Sequence, residues 1–272
     1  MPKSDGAQQP AVATKALTRR FDGLVAVDRL DLEIESGIIF GLLGPNGAGK
    51  STIVKMLTTL LPPSSGTAIV AGHDIVREAA QVRRNIGYVP QLVSADADLT
   101  AYENLLLSAK LYDVPRTERD DRIADALSFM GLTDAARALV RTYSGGMVRR
   151  LEVAQALLHR PAVLFLDEPT TGLDPMARHA VWERLRESRT RFAMTVLITT
   201  HDMEEAEQLC DRLAIMHSGH LAASGTAAEL KRGVGPEATL DDVFAHIAGG
   251  VITEGGSFRD VVSARRTARR LG

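Results

Sequence analysis

Ile38-Ile39-Phe40-Gly41-Leu42-Leu43 runs without a polar side chain into Gly44-Pro45-Asn46-Gly47-Ala48-Gly49-Lys50-Ser51, and Thr52–Leu60 then reads as helix. An apolar run of this kind is expected of a strand buried on both faces. The segment after it matches G-x4-G-K-[ST] between a strand and a helix, the context in which that spacing carries meaning. Glycines let a backbone wrap an anion with its amides inward, and the helix N-terminus adds partial positive charge at the same spot. Polyphosphate is the ligand such a cradle fits. Lys50 is placed for the β- and γ-phosphates, and Ser51 in the first helical turn for the Mg²⁺ that bridges them. A glycine-rich turn with an exposed lysine is the bland alternative, and the flanking elements weigh against it.

A phosphate cradle alone says only nucleotide; a metal carboxylate and a group that activates water are still required. Val163-Leu164-Phe165-Leu166-Asp167-Glu168 supplies both. Its apolar residues bury a strand and leave Asp167 at the carboxyl end, where α/β sheets hold their ligands. Asp167 is the expected Mg²⁺ ligand. Glu168, followed by Pro169, which discourages further strand pairing, is placed to polarise an attacking water. Adjacent carboxylates after a strand are otherwise an ordinary solvated turn.

Several function classes fall to composition. The 272 residues are 45% hydrophobic and 24% charged, an ordered chain of one large or two modest domains. A net charge of −2 gives no global reason to bind nucleic acid. The single cysteine, Cys210, excludes an intrachain disulfide framework. The amino terminus lacks the apolar run of a signal peptide, and no stretch is long and apolar enough to span a bilayer.

The pattern along the chain predicts an α/β fold with two kinds of sheet. Leu30, Leu32 and Ile34 alternate with Asp31, Glu33 and Glu35, the period of a half-exposed antiparallel strand. Val163–Leu166 and Thr195–Thr199 read as buried parallel strands, each after a helical stretch, and Leu213–Met216 with Leu221–Ala223 as a late hairpin. From about residue 92 to 160 helix signals replace strand signals, with Thr100/Glu103 and Thr117/Asp120 spaced like capping boxes. Ile123, Leu127 and Met130 share one face of a helix that stops at Gly131. Residues 1–11 read as a loose leader, 12–235 as the main domain, and 236–272 as an extension with one short helix, Leu240–Ile247.

Taken together, these residues resemble an ATP-binding cassette (ABC) ATPase, a P-loop NTPase with a RecA-like core, an antiparallel β subdomain and an inserted helical subdomain. Tyr143-Ser144-Gly145-Gly146-Met147, at the head of a helix bearing Leu151, Ala154 and Leu158, resembles the family signature LSGGQ, with Tyr143 for Leu and Met147 for Gln. Ser144, Gly145 and Gly146 are intact; independently of any family, such residues at a helix start are an anion site or a plain serine cap. The resemblance implies a head-to-tail dimer in which each signature closes on the partner's ATP. Gln91 resembles the Q-loop glutamine that touches Mg²⁺, His201 the switch histidine that contacts the γ-phosphate, and Asp174 the D-loop aspartate. Phe21 stands where the family places an aromatic ring on adenine. The remaining P-loop positions carried over are Gly44, Pro45, Asn46, Gly47, Ala48, Gly49 and Thr52.

Leu99-Thr100-Ala101-Tyr102-Glu103-Asn104-Leu105, the Tyr-Ser-Gly-Gly-Met signature and Leu240-Asp241-Asp242-Val243-Phe244 look most like the ATP-binding subunits of daunorubicin-type drug exporters. That implies a separate membrane permease as partner and a peripheral place on the cytoplasmic face of the membrane. Exporters of lipid, polysaccharide or sodium, and soluble assembly ATPases of the iron–sulfur type, share these motifs. Residues 257–272 hold five arginines and one aspartate. Arg265 and Arg266 recur as Arg269 and Arg270, one basic face if helical, which an anionic lipid surface would attract.

Overall fold

A computed structural model describes residues 9–252. In chain order the elements are β1 (Val12–Phe21), β2 (Leu24–Ile34), β3 (Ile39–Leu43), α1 (Lys50–Leu57), β4 (Ser65–Val70), β5 (His73–Asp74), α2 (Ala79–Asn85) and β6 (Ile86–Val89). Then come α3 (Ala101–Leu111), α4 (Arg119–Phe129), α5 (Gly145–Leu157), β7 (Val163–Asp167), α6 (Pro175–Phe192), β8 (Thr195–Thr200) and α7 (Met203–Leu209). The hairpin β9 (Arg212–His217) and β10 (His220–Gly225) is followed by α8 (Ala227–Arg232) and α9 (Leu240–Ile252).

The strands form two sheets. One has four strands in the order β2-β1-β4-β5, and the other six in the order β10-β9-β3-β8-β7-β6. The first is antiparallel throughout; in the second, β9, β3, β8, β7 and β6 run parallel and only β10 is reversed. β3, β7 and β8 are buried at every position, which is why they read as continuous apolar runs. Alternate residues serve two cores. Phe40, Leu42, Val163, Phe165 and Leu197 pack with α1 and the inner face of the antiparallel sheet, while Leu164, Leu166, Val196 and Ile198 pack with α3, α4, α5 and α6.

Because the parallel strands are neighbours, the loops after β3, β8, β7 and β6 open at one edge of the sheet, the place where α/β proteins bind ligands. Those loops carry Gly44–Gly49, His201, Glu168 and Gln91 respectively.

The helix expected over Thr52–Leu60 after the glycine-rich loop instead runs Lys50–Leu57, starting within the loop motif itself. Thr100 and Glu103 form a true capping box, and Gly131 closes α4 with φ +63°. Thr117 does not cap α4: the Pro115 carbonyl accepts the Glu118 N–H at 2.9 Å, so the chain enters the helix at Arg119 with Glu118 as an N-cap lacking a side-chain bond. The last helix continues past Ile247 to Ile252. Its Leu240 and Val243 are buried against Leu43, Leu213 and Ile215 of the large sheet. The basic segment 257–272 and most of the leader lie outside the described residues, although Ala11 is already hydrogen-bonded to Ile34.

Candidate functional site

The glycine-rich loop after β3 has the geometry its composition predicts. Gly47 and Gly49 hold φ of +82° and +101°, values open to glycine and strained for other residues. A Cβ on Gly49 would sit 2.5 Å from the Ala26 carbonyl oxygen, and one on Gly44 2.5 Å from that of Met216. The loop therefore rests directly on the backbones of β2 and β9. Asn46 and Gly47 form the exposed crest, Ala48 is buried, and Pro45, Gly49, Ser51 and Thr52 are half-buried.

Lys50 is 4% exposed, and its Nζ donates to the Gly44 carbonyl at 2.7 Å and the Pro45 carbonyl at 3.1 Å. Burial lowers its pKa, against the attraction of Glu168 and Asp167. Ser51 Oγ donates to Asp167 Oδ1 at 3.0 Å, and Thr199 Oγ1 donates to the same oxygen at 2.5 Å from the facing position on β8. Next to this carboxylate the Tyr88 phenol is raised to about 12, first by burial and then by the charge of Asp167.

Glu168 is the hub. Its φ of +48° is a left-handed conformation for a non-glycine residue, at a position only 5% exposed, strain of the kind that gathers at functional sites. Its N–H donates to the Thr199 carbonyl at 3.1 Å and to Thr199 Oγ1 at 3.0 Å, which holds the backbone there. Around its carboxylate, Lys50 Nζ lies 3.6 Å and His201 Nδ1 3.3 Å from Oε1. Gln91 Nε2 and Thr171 Oγ1 each donate to Oε2 at 3.2 Å.

The structure thus brings Lys50, Ser51, Gln91, Asp167, Glu168 and His201 into one network. The hydrogen bond of Gln91 goes to Glu168 rather than to the Ser51–Asp167 pair. Thr199 and Thr171 belong to the network and were not anticipated; Thr199 is brought there by its pairing with Asp167 across β7 and β8, which no single segment of sequence shows.

Phe21, Ser144, Gly145, Gly146 and Asp174 take no part in this network. Ser144 caps α5 by accepting the Met147 N–H, and Asp174 caps α6, with Pro175 at its first position. A Cβ on Gly146 would stand 2.8 Å from that of Ala177, and one on Gly145 3.4 Å from Leu173. The two helix heads therefore touch. Phe21 is 39% exposed, with the Arg19 guanidinium 4.5 Å from its ring centre.

The residues fit a nucleotide with its metal. Among the described residues no group of three or more His, Cys, Asp or Glu could cage an ion. A hydroxyl and one carboxylate beside a phosphate cradle are instead the oxygen donors expected for Mg²⁺, which keeps waters and is shared with phosphates.

Residues 27–171 match the ABC transporter family. The chain is 46% identical over 225 residues to the daunorubicin/doxorubicin resistance ATP-binding protein DrrA of Streptomyces peucetius, covering 83% of this chain and 68% of that protein. It belongs to the ABC transporter family. Other relatives are a Nod factor export ATP-binding protein I of Cupriavidus metallidurans, 47% identical over 76% of this chain and 68% of its own, and the linearmycin resistance ATP-binding protein LnrL of Bacillus subtilis, 42% identical over 75% and 65%. Among solved structures, the ATP-binding subunit of an ABC transporter superposes with a TM-score of 0.78 at 29% identity, over 88% of this chain and 99% of that one. The P-loop NTPase fold and ATP as the substrate follow from this membership. The chain is an ATP-hydrolysing subunit of a transporter complex. That membership implies a membrane permease as partner. None of the described helices is long and apolar enough to cross a membrane.

Proposed function

We propose that this subunit powers export of drug-like or other hydrophobic compounds through a separate permease, from the cytoplasmic face of the membrane. The observation that carries the catalytic part is the convergence of Lys50, Gln91, Thr171 and His201 on the strained carboxylate of Glu168. Relatives concerned with daunorubicin, linearmycin and Nod factor support export as the direction.

In this reading the amides of Gly44–Gly49 hold the β-phosphate, Lys50 turns from the Gly44 and Pro45 carbonyls to the β- and γ-phosphates, and Phe21 stacks on adenine. Ser51, Asp167 and Gln91 would hold Mg²⁺, which neutralises charge on the phosphates. Glu168 accepts a proton from the attacking water, and His201 orients the γ-phosphate from the neighbouring strand end. Ser144, Gly145 and Gly146, which take no part in this network, complete the ATP site of a second copy, with Asp174 at the same contact.

The permease docks on the helical region. Leu92 and Val93, with Tyr102, Leu107, Leu111 and Tyr112 of α3 and the turn after it, expose apolar surface there. Lipid contact by Arg265, Arg266, Arg269 and Arg270 would add about 1 kcal/mol per arginine near an anionic surface.

Co-expression with the membrane protein that copurifies with this chain tests the export reading. Cells should accumulate less daunorubicin, followed by its fluorescence, and Lys50→Ala should abolish the difference. Copurification with a soluble assembly complex and unchanged accumulation would overturn it.

A further inference from the structure

The loop that carries Gln91 rests on a buried ion pair that the catalytic scheme leaves unused. Arg149 and Glu152, one turn apart on α5, are 6% and 2% exposed, and Arg149 Nη1 lies 2.9 Å from Glu152 Oε2. The guanidinium also donates to the Pro90 carbonyl at 2.9 Å and to the Gln91 carbonyl at 3.1 Å. Glu152 Oε1 accepts from the Ser94 hydroxyl at 2.9 Å and from the Ser94 N–H.

Two charges are tolerated in an interior only when their remaining protons and lone pairs find partners. Here the loop supplies them for the guanidinium and for Glu152 Oε1, while Oε2 has the ion pair with Arg149 and no hydrogen bond. Residues 90 and 91 are pinned through their carbonyls and residue 94 through its amide and hydroxyl. Leu92 and Val93, between the pins, are left 82% and 65% exposed.

We propose that Arg149 and Glu152 are positioning residues that fasten the Gln91 loop to the helix headed by Ser144-Gly145-Gly146, so that loop and helix move as one body. The proposal rests on the roles given above to Gln91 and to that helix head. Gln91 grips Glu168 with its side chain and Arg149 with its backbone. A change at Glu168 is therefore passed through one residue to α5. The planar fork of arginine serves adjacent carbonyls and a carboxylate together; the single ammonium of lysine cannot span them in the same way.

The test measures phosphate release by the full chain against ATP concentration, together with thermal melting and amide exchange over residues 90–94. Arg149→Lys should lower kcat about tenfold with KM for ATP within about twofold. Ser94→Ala, a change at an exposed position, should lower kcat about threefold and speed exchange of the loop amides at an unchanged melting temperature. Wild-type kcat in both variants overturns the clamp, as does a loss that only follows the folded fraction. Should Arg149→Lys fail to fold, Ser94→Ala decides alone, and wild-type kcat there overturns the proposal. A wild-type chain that releases no phosphate contradicts ATP hydrolysis itself, a separate outcome.

Discussion

Glu168 is held in a left-handed conformation at the end of a strand, with its N–H shared between the carbonyl and hydroxyl of Thr199. Thr199 also donates to Asp167, so one small side chain sets two carboxylates. Thr199→Val keeps the shape and removes the hydroxyl. It should cost about 1–3 kcal/mol of stability by leaving buried polar atoms unpaired, measured by denaturant unfolding, and should lower kcat. At the cradle, Gly49→Ala places a methyl 2.5 Å from the Ala26 carbonyl at a φ of +101°. Titration with a fluorescent ATP analogue should show binding weakened at least about tenfold; unchanged affinity would mean that the loop is not the phosphate site. Lys50, Ser51, Asp167 and Glu168 were legible because their chemistry needs fixed residue types at fixed spacing. Thr199 and Thr171 were not, because a threonine in an apolar strand or a turn is ordinary until its neighbour across the sheet is known.

Among the elements, the buried parallel strands declared themselves, whereas β1 did not. Its register against β2 and β4 shifts at several points, and Ala16 has a φ of +48°. Such bulges break the alternation on which recognition depends. The start of α8 was available in principle, since Thr226 and Glu229 form a complete capping box. At the end of α5, the ring of His159 stacks on Tyr112 at 3.8 Å, its Nε2 bonds to the Ile86 carbonyl at 2.9 Å, and its Nδ1 is buried without a partner. Burial lowers its pKa from 6.5, with Arg122 adding to the effect and the Ile86 bond opposing it. The unfolded chain then binds the proton more readily than the folded one. The stability contributed by neutral His159 is thus complete above pH 6.5 and is lost as pH falls through the depressed folded value. Melting curves of His159→Phe, which retains the stack, should lose part of the wild-type decline below that pH. An identical decline would assign it to other groups.

Across the whole molecule, the strand order sets the loops after β3, β8, β7 and β6 at one edge of the large sheet, while the heads of α5 and α6 touch each other, and Arg178 in the first turn of α6 donates to Asp202 beside His201 at 2.6 Å. The fold class and the existence of two sheets were legible from apolar runs and alternation. That Lys50, Gln91 and His201 would converge on Glu168 was not, because strand order is not written in any single segment. Glu168 is the proposed base for the water that cleaves ATP. Phosphate release by the full chain, wild type against Glu168→Gln, tests it most directly. The substituted chain should retain ATP binding, release phosphate at least about 100-fold more slowly, and elute at twice its mass when ATP is present. Wild-type turnover by Glu168→Gln would mean that Glu168 is not that base.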